Sequence, residues 1–88
     1  MAVKGMNVEA GRQSAATINQ GAEQLEALTG QLTNSIQGFE WYGPDAERTR
    51  STWSTEHVRV LGQVTQSLRD FAMLINAQAN EQEQVSNA

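Results

Sequence analysis

The chain has 88 residues, with ten acidic and six basic side chains, a net charge of −4 and no cysteine. A chain of this length forms at most one domain and buries only about two thirds of its unfolded surface, so we expect a partner to add to its stability. Without cysteine, neither a disulfide nor a thiolate metal site can take that role. The basic residues are spread along the sequence, which argues against a nucleic-acid surface.

Hydropathy excludes a membrane-spanning segment. The longest apolar run, around residues 72–75, is far shorter than the roughly 20 residues that cross a bilayer. The N-terminal sequence MAVKGMNVEAG lacks the apolar core of a secretory signal peptide. We therefore expect no stable membrane insertion and, if the protein is exported, a route other than general secretion.

The first half of the chain has the apolar period of an amphipathic helix. Apolar residues recur every three or four positions, at Ile18, Ala22, Leu25, Leu28, Leu32, Ile36 and Phe39. This spacing predicts a helix over about residues 8–39 with one apolar face. The stripe is small in its N-terminal half and large in its C-terminal half.

A turn of about residues 40–44 is predicted to end this helix. Gly38 and Gly43 supply backbone freedom on its two sides, and Pro44 is favoured in the first turn of a following helix. Asp45 and Glu47 then fall where the helix dipole favours carboxylates. The turn also carries a tryptophan and a tyrosine, although turns between helices are usually polar.

The apolar period resumes after the turn and predicts a second helix over about residues 45–82, followed by a polar tail. Its apolar positions are Ala46, Trp53, His57, Val60, Val64, Leu68, Phe71 and Ile75, with Leu61 and Leu74 widening the stripe. Such breadth is typical of a helix with two neighbours. The predicted fold is all-α: one domain, residues 1–88, forming an antiparallel helix-turn-helix hairpin that pairs with a second hairpin into a four-helix bundle dimer.

Catalysis and metal binding have no support in the sequence. The single histidine, His57, lies on the apolar stripe, where it is either a packing residue or a pH-responsive group at an interface. One histidine without cysteine cannot form an ordinary transition-metal site. There is no serine-histidine-acid arrangement and no phosphate-binding glycine loop. We expect a non-enzymatic protein without cofactors.

The turn carries the residues of a known motif. Trp41, Tyr42 and Gly43 form a W-x-G tripeptide at mid-chain between two amphipathic helices. Together with the chain length and the lack of cysteine and signal peptide, this resembles the WXG (ESAT-like) family of the bacterial type VII (ESX) secretion system. The run WYGPDA at residues 41–46, the following Trp53 and the tail NEQEQ resemble its actinobacterial branch. The resemblance covers essentially the whole chain.

The resemblance implies a function in secretion. Members of this family pair as hairpins, with themselves or with another WXG protein, and a membrane-associated ATPase of the FtsK/SpoIIIE type recognises the dimers. Carried over by position, Trp41 and Gly43 would form half of the recognition surface. The stripe residues Ile18, Leu25, Leu28, Leu32, Ile36, Phe39, Trp53, His57, Val60, Val64, Leu68, Phe71 and Ile75 would form the hairpin and dimer interfaces.

The sequence departs from the family at one point. The other half of the family's recognition surface is a C-terminal Tyr-x-x-x-Asp/Glu signal, and no tyrosine follows Tyr42. Either a signal-bearing partner completes the surface, or a homodimer uses another cue, or the chain is not itself exported. The resemblance thus implies a protein made in the cytoplasm and secreted or displayed at the cell surface; the alternative is an intracellular helical adaptor or chaperone for a larger secreted protein.

Overall fold

The computed structural model describes residues 5–87 and contains two helical arms joined by a turn. The first arm is α1 (Val8–Gly38). The second arm is continuous and consists of α2 (Pro44–Thr52), a π-helical segment (Trp53–His57) and α3 (Val58–Asn87). The molecule is a rod of 68 × 17 × 16 Å. The prediction of an all-α helical hairpin is confirmed.

The two ends of α1 are stabilised in different ways. α1 begins with Asn7, whose side-chain oxygen accepts a hydrogen bond from the backbone N–H of Ala10 at 3.0 Å, but no such cap ends it. The chain leaves α1 through Phe39, which is extended (φ −98°, ψ 157°). The expectation that Gly38 supplies unusual backbone freedom is wrong, since its φ is not positive. The guanidinium of Arg50 binds the carbonyl oxygens of Ile36 and Phe39 instead, so no left-handed glycine is needed.

Gly43 does require the freedom of glycine. Its φ of 109° and ψ of 175° lie in a region that is essentially confined to glycine. Pro44 follows as the first helical residue, with Asp45 and Glu47 in the first turn, as predicted. The carbonyl of Gly43 already accepts the backbone N–H of Glu47 at 3.1 Å. The backbone conformation at the start of the second arm therefore explains why the third residue of the W-x-G motif is glycine.

Alanines make the contact between the arms. The buried residues are Ala15, Ala22, Ala46, Thr65, Ala72 and Ala79, and no large side chain is fully buried among the described residues. They recur every seven residues on α1 and on α3, which is the period of a helix pair. The Thr65 hydroxyl donates to the carbonyl of Leu61 at 2.9 Å, so it is satisfied. Small side chains along this line let the helices approach closely.

Two ion pairs tie the arms together along one side of the rod. Arg12 binds Glu83 at 2.9 Å and also the side-chain oxygen of Asn80 at 2.8 Å. Arg69 binds Glu26 at 2.6 Å. The hydrogen bond from Arg69, and then its charge, hold the pKa of Glu26 below its ordinary value. Arg12 lowers the pKa of Glu83 in the same way. We call Arg12, Glu26, Arg69 and Glu83 the ion-paired edge.

The second arm extends past its predicted end near residue 82, into the predicted polar tail. α3 continues to Asn87 rather than ending near residue 82. The reason is tertiary, because the pairing of Glu83 with Arg12 on the other arm holds a polar segment that has little apolar surface of its own. Residue 88, also part of the predicted tail, lies outside the described residues.

The π-helical segment rotates the second arm relative to the predicted stripe. The backbone N–H of Val58 donates to the carbonyl of Trp53, five residues earlier. The predicted stripe runs from Trp53 to His57 and Val60, but the next residue turned towards α1 is Val58. Leu61 and the buried Thr65 follow it. His57, Val60 and Val64 are exposed as a result, so they do not form the contact between the arms.

Substitution of Gly43 by alanine is expected to destabilise the hairpin. An added Cβ would meet no atom within 4 Å, so the cost is backbone strain, on the order of 1–3 kcal/mol. The matched control is Gly30→Ala, in an exposed and open position of α1, where alanine should stabilise by about 0.5–1 kcal/mol. Urea unfolding followed by far-ultraviolet circular dichroism at equal protein concentration measures both. Equal effects of the two substitutions would contradict the assignment.

The ion-paired edge is expected to contribute to stability only above acidic pH. Because the pKa values of Glu26 and Glu83 are lowered in the folded chain, their contribution is complete above the unfolded glutamate pKa of about 4.3. It is lost as pH falls through the lower folded values. The double variant Glu26→Gln/Glu83→Gln should melt below the wild type at pH 7, and the difference should shrink as the pH falls below the unfolded glutamate pKa of about 4.3.

The control for this titration is Glu81→Gln, which removes a carboxylate that makes no ion pair in the described part of the chain. Its melting temperature should track that of the wild type from pH 7 to pH 3. A difference between the double variant and the wild type that stays constant over this range would show that the ion pairs do not contribute through their charge.

Candidate functional site

Large apolar side chains lie half in solvent along one side of the rod. They are 41–55% exposed and are Leu28 and Leu32 on α1 and Val60, Val64, Phe71 and Leu74 on α3. We call these six residues the apolar edge. Single exposed apolar residues are ordinary, whereas a group of large ones on one side of the rod is a candidate binding surface.

Helical spacing places the apolar edge opposite the ion-paired edge. Glu26, Arg69 and Glu83 each follow a buried position by four, namely Ala22, Thr65 and Ala79. Arg12 lies two heptads before Glu26 and so has the same place on α1. On α3, Val64 and Phe71 each precede a buried position by one. Equivalent positions of two antiparallel helices face the same side. Leu28, six residues after the buried Ala22, has the place on α1 that Phe71 has after Thr65, and Leu32 lies one helical turn beyond it. One side of the rod is therefore closed by charges, and the other presents apolar groups from both arms.

The predicted interface residues divide into two sets in the structure. Six are half-buried between or beside the arms: Ile18, Leu25, Ile36, Trp53, Leu68 and Ile75. Seven are exposed: Leu28, Leu32, Phe39, His57, Val60, Val64 and Phe71. The first set accounts for the hairpin itself. The second set stays exposed in the described part of the chain.

The turn forms an aromatic cluster around one arginine. The rings of Phe39 and Trp41 stack with centroids 5.5 Å apart and an interplanar angle of 11°. The guanidinium carbon of Arg50 lies 5.3 Å from the Phe39 centroid and 5.5 Å from that of Trp41. Both distances are in the range of cation–π attraction.

Arg50 also fixes the backbone of the turn. Its Nε donates to the carbonyl of Ile36 at 2.9 Å, its Nη1 to that of Trp41 at 2.9 Å and its Nη2 to that of Phe39 at 2.7 Å. Sequence reasoning missed this residue and counted it among the spread basic side chains. The only local signal is its place two helical turns after Pro44. Its partners are carbonyl groups, which carry no sequence information.

Trp53 joins the second arm to the first just above the turn. Its indole Nε1 donates to the hydroxyl oxygen of Thr33 at 2.9 Å, while the Thr33 hydroxyl donates to the carbonyl of Thr29. The ring of His57 lies 5.8 Å from that of Trp53. Trp53 is thus part of the contact between the arms, and His57 lies at the exposed end of the same group.

The W-x-G residues have different exposures. Trp41 is half-buried beneath Phe39 and Arg50. Gly43 is exposed but is set by its backbone conformation. Tyr42, between them, is 83% exposed, the largest value of any large apolar or aromatic side chain in the described residues.

A metal-binding cluster and a membrane-spanning helix are both absent from the part of the chain that the structure describes. It contains no group of three or more His, Asp or Glu side chains placed to hold a metal ion. No helix in it is long and apolar enough to cross a membrane. The apolar edge, with its exposed large side chains, and the aromatic turn, with the exposed Tyr42, are the candidate site.

Comparisons of the chain with family models, with curated proteins and with solved structures found no match.

Proposed function

We propose that this protein is a non-enzymatic substrate or co-substrate of a type VII (ESX) secretion system that pairs through its apolar edge into a four-helix bundle. The observation that carries the pairing is the set of six large side chains held half in water along one side of the rod. The W-x-G turn carries the assignment to secretion, through the resemblance of the sequence to the WXG family.

The energetics of the apolar edge favour a second hairpin. Full burial of a side chain of this size contributes about 1.5–3 kcal/mol, and roughly half of each of the six is in contact with water. The arms cannot rearrange to cover them, because the alanine contact already brings the helices close together. A second amphipathic hairpin offers an apolar surface of the same length.

The size gradient on α1 supports an antiparallel arrangement. Towards the turn the apolar edge carries Leu28 and Leu32, whereas the corresponding side nearer the N-terminus carries Ser14 and Gly21. A Cβ added at Gly21 would meet no atom within 4 Å, so this part of the surface is open. Reversing one rod relative to the other sets large side chains against small ones in both halves of the interface, as close packing requires.

The partner is either a second copy of this chain or another WXG protein. In both cases the turn of one hairpin lies near the termini of the other. The FtsK/SpoIIIE-type secretion ATPase is the proposed receptor for the resulting surface, with Trp41 and Gly43 belonging to it. The protein is then made in the cytoplasm and secreted or held at the cell surface.

A second candidate function rests on the absence of a tyrosine after Tyr42. In this candidate the same bundle serves as an intracellular adaptor or chaperone that holds a larger secreted protein. Immunoblots of culture supernatant and cell lysate separate the two candidates. A chain confined to the lysate while the secretion system is active would favour the adaptor.

Substitutions on the apolar edge are expected to dissociate the dimer. Leu32→Glu or Phe71→Glu places a charge where an apolar side chain is buried on pairing. Because about half of each side chain is already covered in the hairpin, each copy loses about half of the 1.5–3 kcal/mol of full burial. The two copies of a self-paired dimer together lose about that amount, which weakens association roughly ten- to a hundredfold. Light scattering of the purified chain at micromolar concentration should show a dimer for the wild type and monomers for both variants.

The matched control is Met73→Glu. Met73 is 67% exposed and follows the buried Ala72 by one, whereas Phe71 precedes it by one, so the two side chains lie on opposite sides of α3. This variant should stay dimeric. A wild-type chain that is a compact, cooperatively melting monomer at micromolar concentration would refute the bundle for a self-paired chain. A partner hairpin from a neighbouring gene, added in equal amount, extends the same measurement to a heterodimer.

Trp41→Ala is expected to reduce export while preserving the helical arms. The indole packs against Phe39 and Arg50 of the turn and is not part of the alanine contact between the arms, so far-ultraviolet circular dichroism should stay helical. The amounts in culture supernatant and lysate give the export. Trp53→Phe, which loses the bond to Thr33 but leaves the turn intact, is the control. Full export of Trp41→Ala would rule out a role of the turn in secretion.

A further inference from the structure

The three residues of the W-x-G turn are not equivalent in the structure. Trp41 is covered on one side by Phe39 and held by Arg50. Gly43 contributes no side chain and is fixed by its positive φ. Tyr42 makes no ring contact or hydrogen bond among the described residues, and its side chain is 83% in solvent.

The turn is rigid for its size. Three hydrogen bonds from one guanidinium fix the carbonyl groups of residues 36, 39 and 41. The stacked pair and the glycine restrict the backbone on either side of Tyr42. A planar guanidinium fork that makes several directed bonds loses little entropy for each of them. Tyr42 is therefore held outward on a preorganised frame, at the tip of a rod 68 Å long.

We infer that Tyr42 is the residue of the turn that contacts the receptor protein. Trp41, Gly43 and Arg50 are positioning residues that act through Tyr42. This inference rests on the proposed function. Tyrosine is among the side chains that dominate binding energy at protein interfaces, because it offers a large ring and one hydroxyl at low entropic cost. A preorganised frame lowers that cost further.

The surroundings of Tyr42 indicate the chemistry of the receiving pocket. Glu40 and Glu47 are exposed near it and belong to no ion pair in the part of the chain described. The positive charge of Arg50 is directed at carbonyl groups and rings within the turn. The fitting partner is a protein pocket with apolar walls, a hydrogen-bonding group for the phenol hydroxyl and a basic rim.

The test compares substitutions of Tyr42 (Tyr42→Ala and Tyr42→Phe) with substitutions of Arg50 (Arg50→Gln and Arg50→Lys). The double variant Glu40→Gln/Glu47→Gln tests the acidic surroundings, and Arg48→Gln is the control for loss of a nearby positive charge. All are made in a Trp53→Phe background, so that the only tryptophan is Trp41. Export is measured from supernatant and lysate, and the exposure of Trp41 is measured by acrylamide quenching of its fluorescence.

Tyr42→Ala should lower export about tenfold without changing the quenching of Trp41 or the melting temperature, and Tyr42→Phe should restore most of the export. Arg50→Gln should lower export and increase quenching, because the frame loosens, and Arg50→Lys should not restore it, since one ammonium cannot reach three carbonyl groups. Arg48→Gln should change neither readout. Removing the negative charges that would face the basic rim of the pocket, with Glu40→Gln/Glu47→Gln, should lower export without changing the quenching of Trp41. Full export of this double variant would show that the pocket has no basic rim.

The outcomes separate this inference from the proposed function. If Trp41→Ala is not exported but Tyr42→Ala is exported like the wild type, the turn acts in secretion and Tyr42 is not the contact. If Tyr42→Ala increases the quenching of Trp41 as much as Arg50→Gln does, Tyr42 is part of the frame and the inference is wrong. If all of these variants and Trp41→Ala are exported fully, the part of the proposed function that assigns the turn to the secretion receptor fails, and the inference fails with it.

Discussion

The close approach of two helices over alanine side chains is the constraint on which the rest of the structure depends. Ala15, Ala22, Ala72 and Ala79 are buried completely, and a large side chain at these positions would hold the helices apart. Leucine, valine and phenylalanine must lie to the sides of the contact. Charged pairs close one side. On the other side the large apolar side chains of both arms stay half in solvent among the described residues.

The second arm meets two demands that an unbroken α-helix could not meet together. Near the turn it must direct Arg50 and Trp53 at the end of α1, and farther along it must set Thr65 and Ala72 against the alanines. The π-helical segment Trp53–His57 supplies the one-residue change of phase that reconciles them. It also sends Val60 and Val64 outwards, which extends the apolar edge towards the turn. A local irregularity of the helix thus shapes the surface on which pairing is proposed.

The turn and the apolar edge divide the proposed function between them. The apolar edge is long and unspecific in chemistry, as suits the pairing of rods, whereas the turn is small, rigid and aromatic, as suits recognition at one point. The strain of Gly43 and the bonds of Arg50 serve the shape of the turn rather than the contact between the arms. Their presence in a chain with so small a core is what makes a role for the turn in binding the most economical account.

The sequence by itself determined the helical arms, the turn and the start of the second arm, because apolar period and the conformational limits of glycine and proline act over a few residues. Tertiary structure decided which apolar residues face the other arm, since one residue changes direction by about 100° around a helix and the π-helical segment has no local signal. It also decided the continuation of α3 to Asn87, through Glu83 and Arg12. Arg50 could not be found in advance because it binds backbone carbonyl groups, whose positions exist only once the turn has formed.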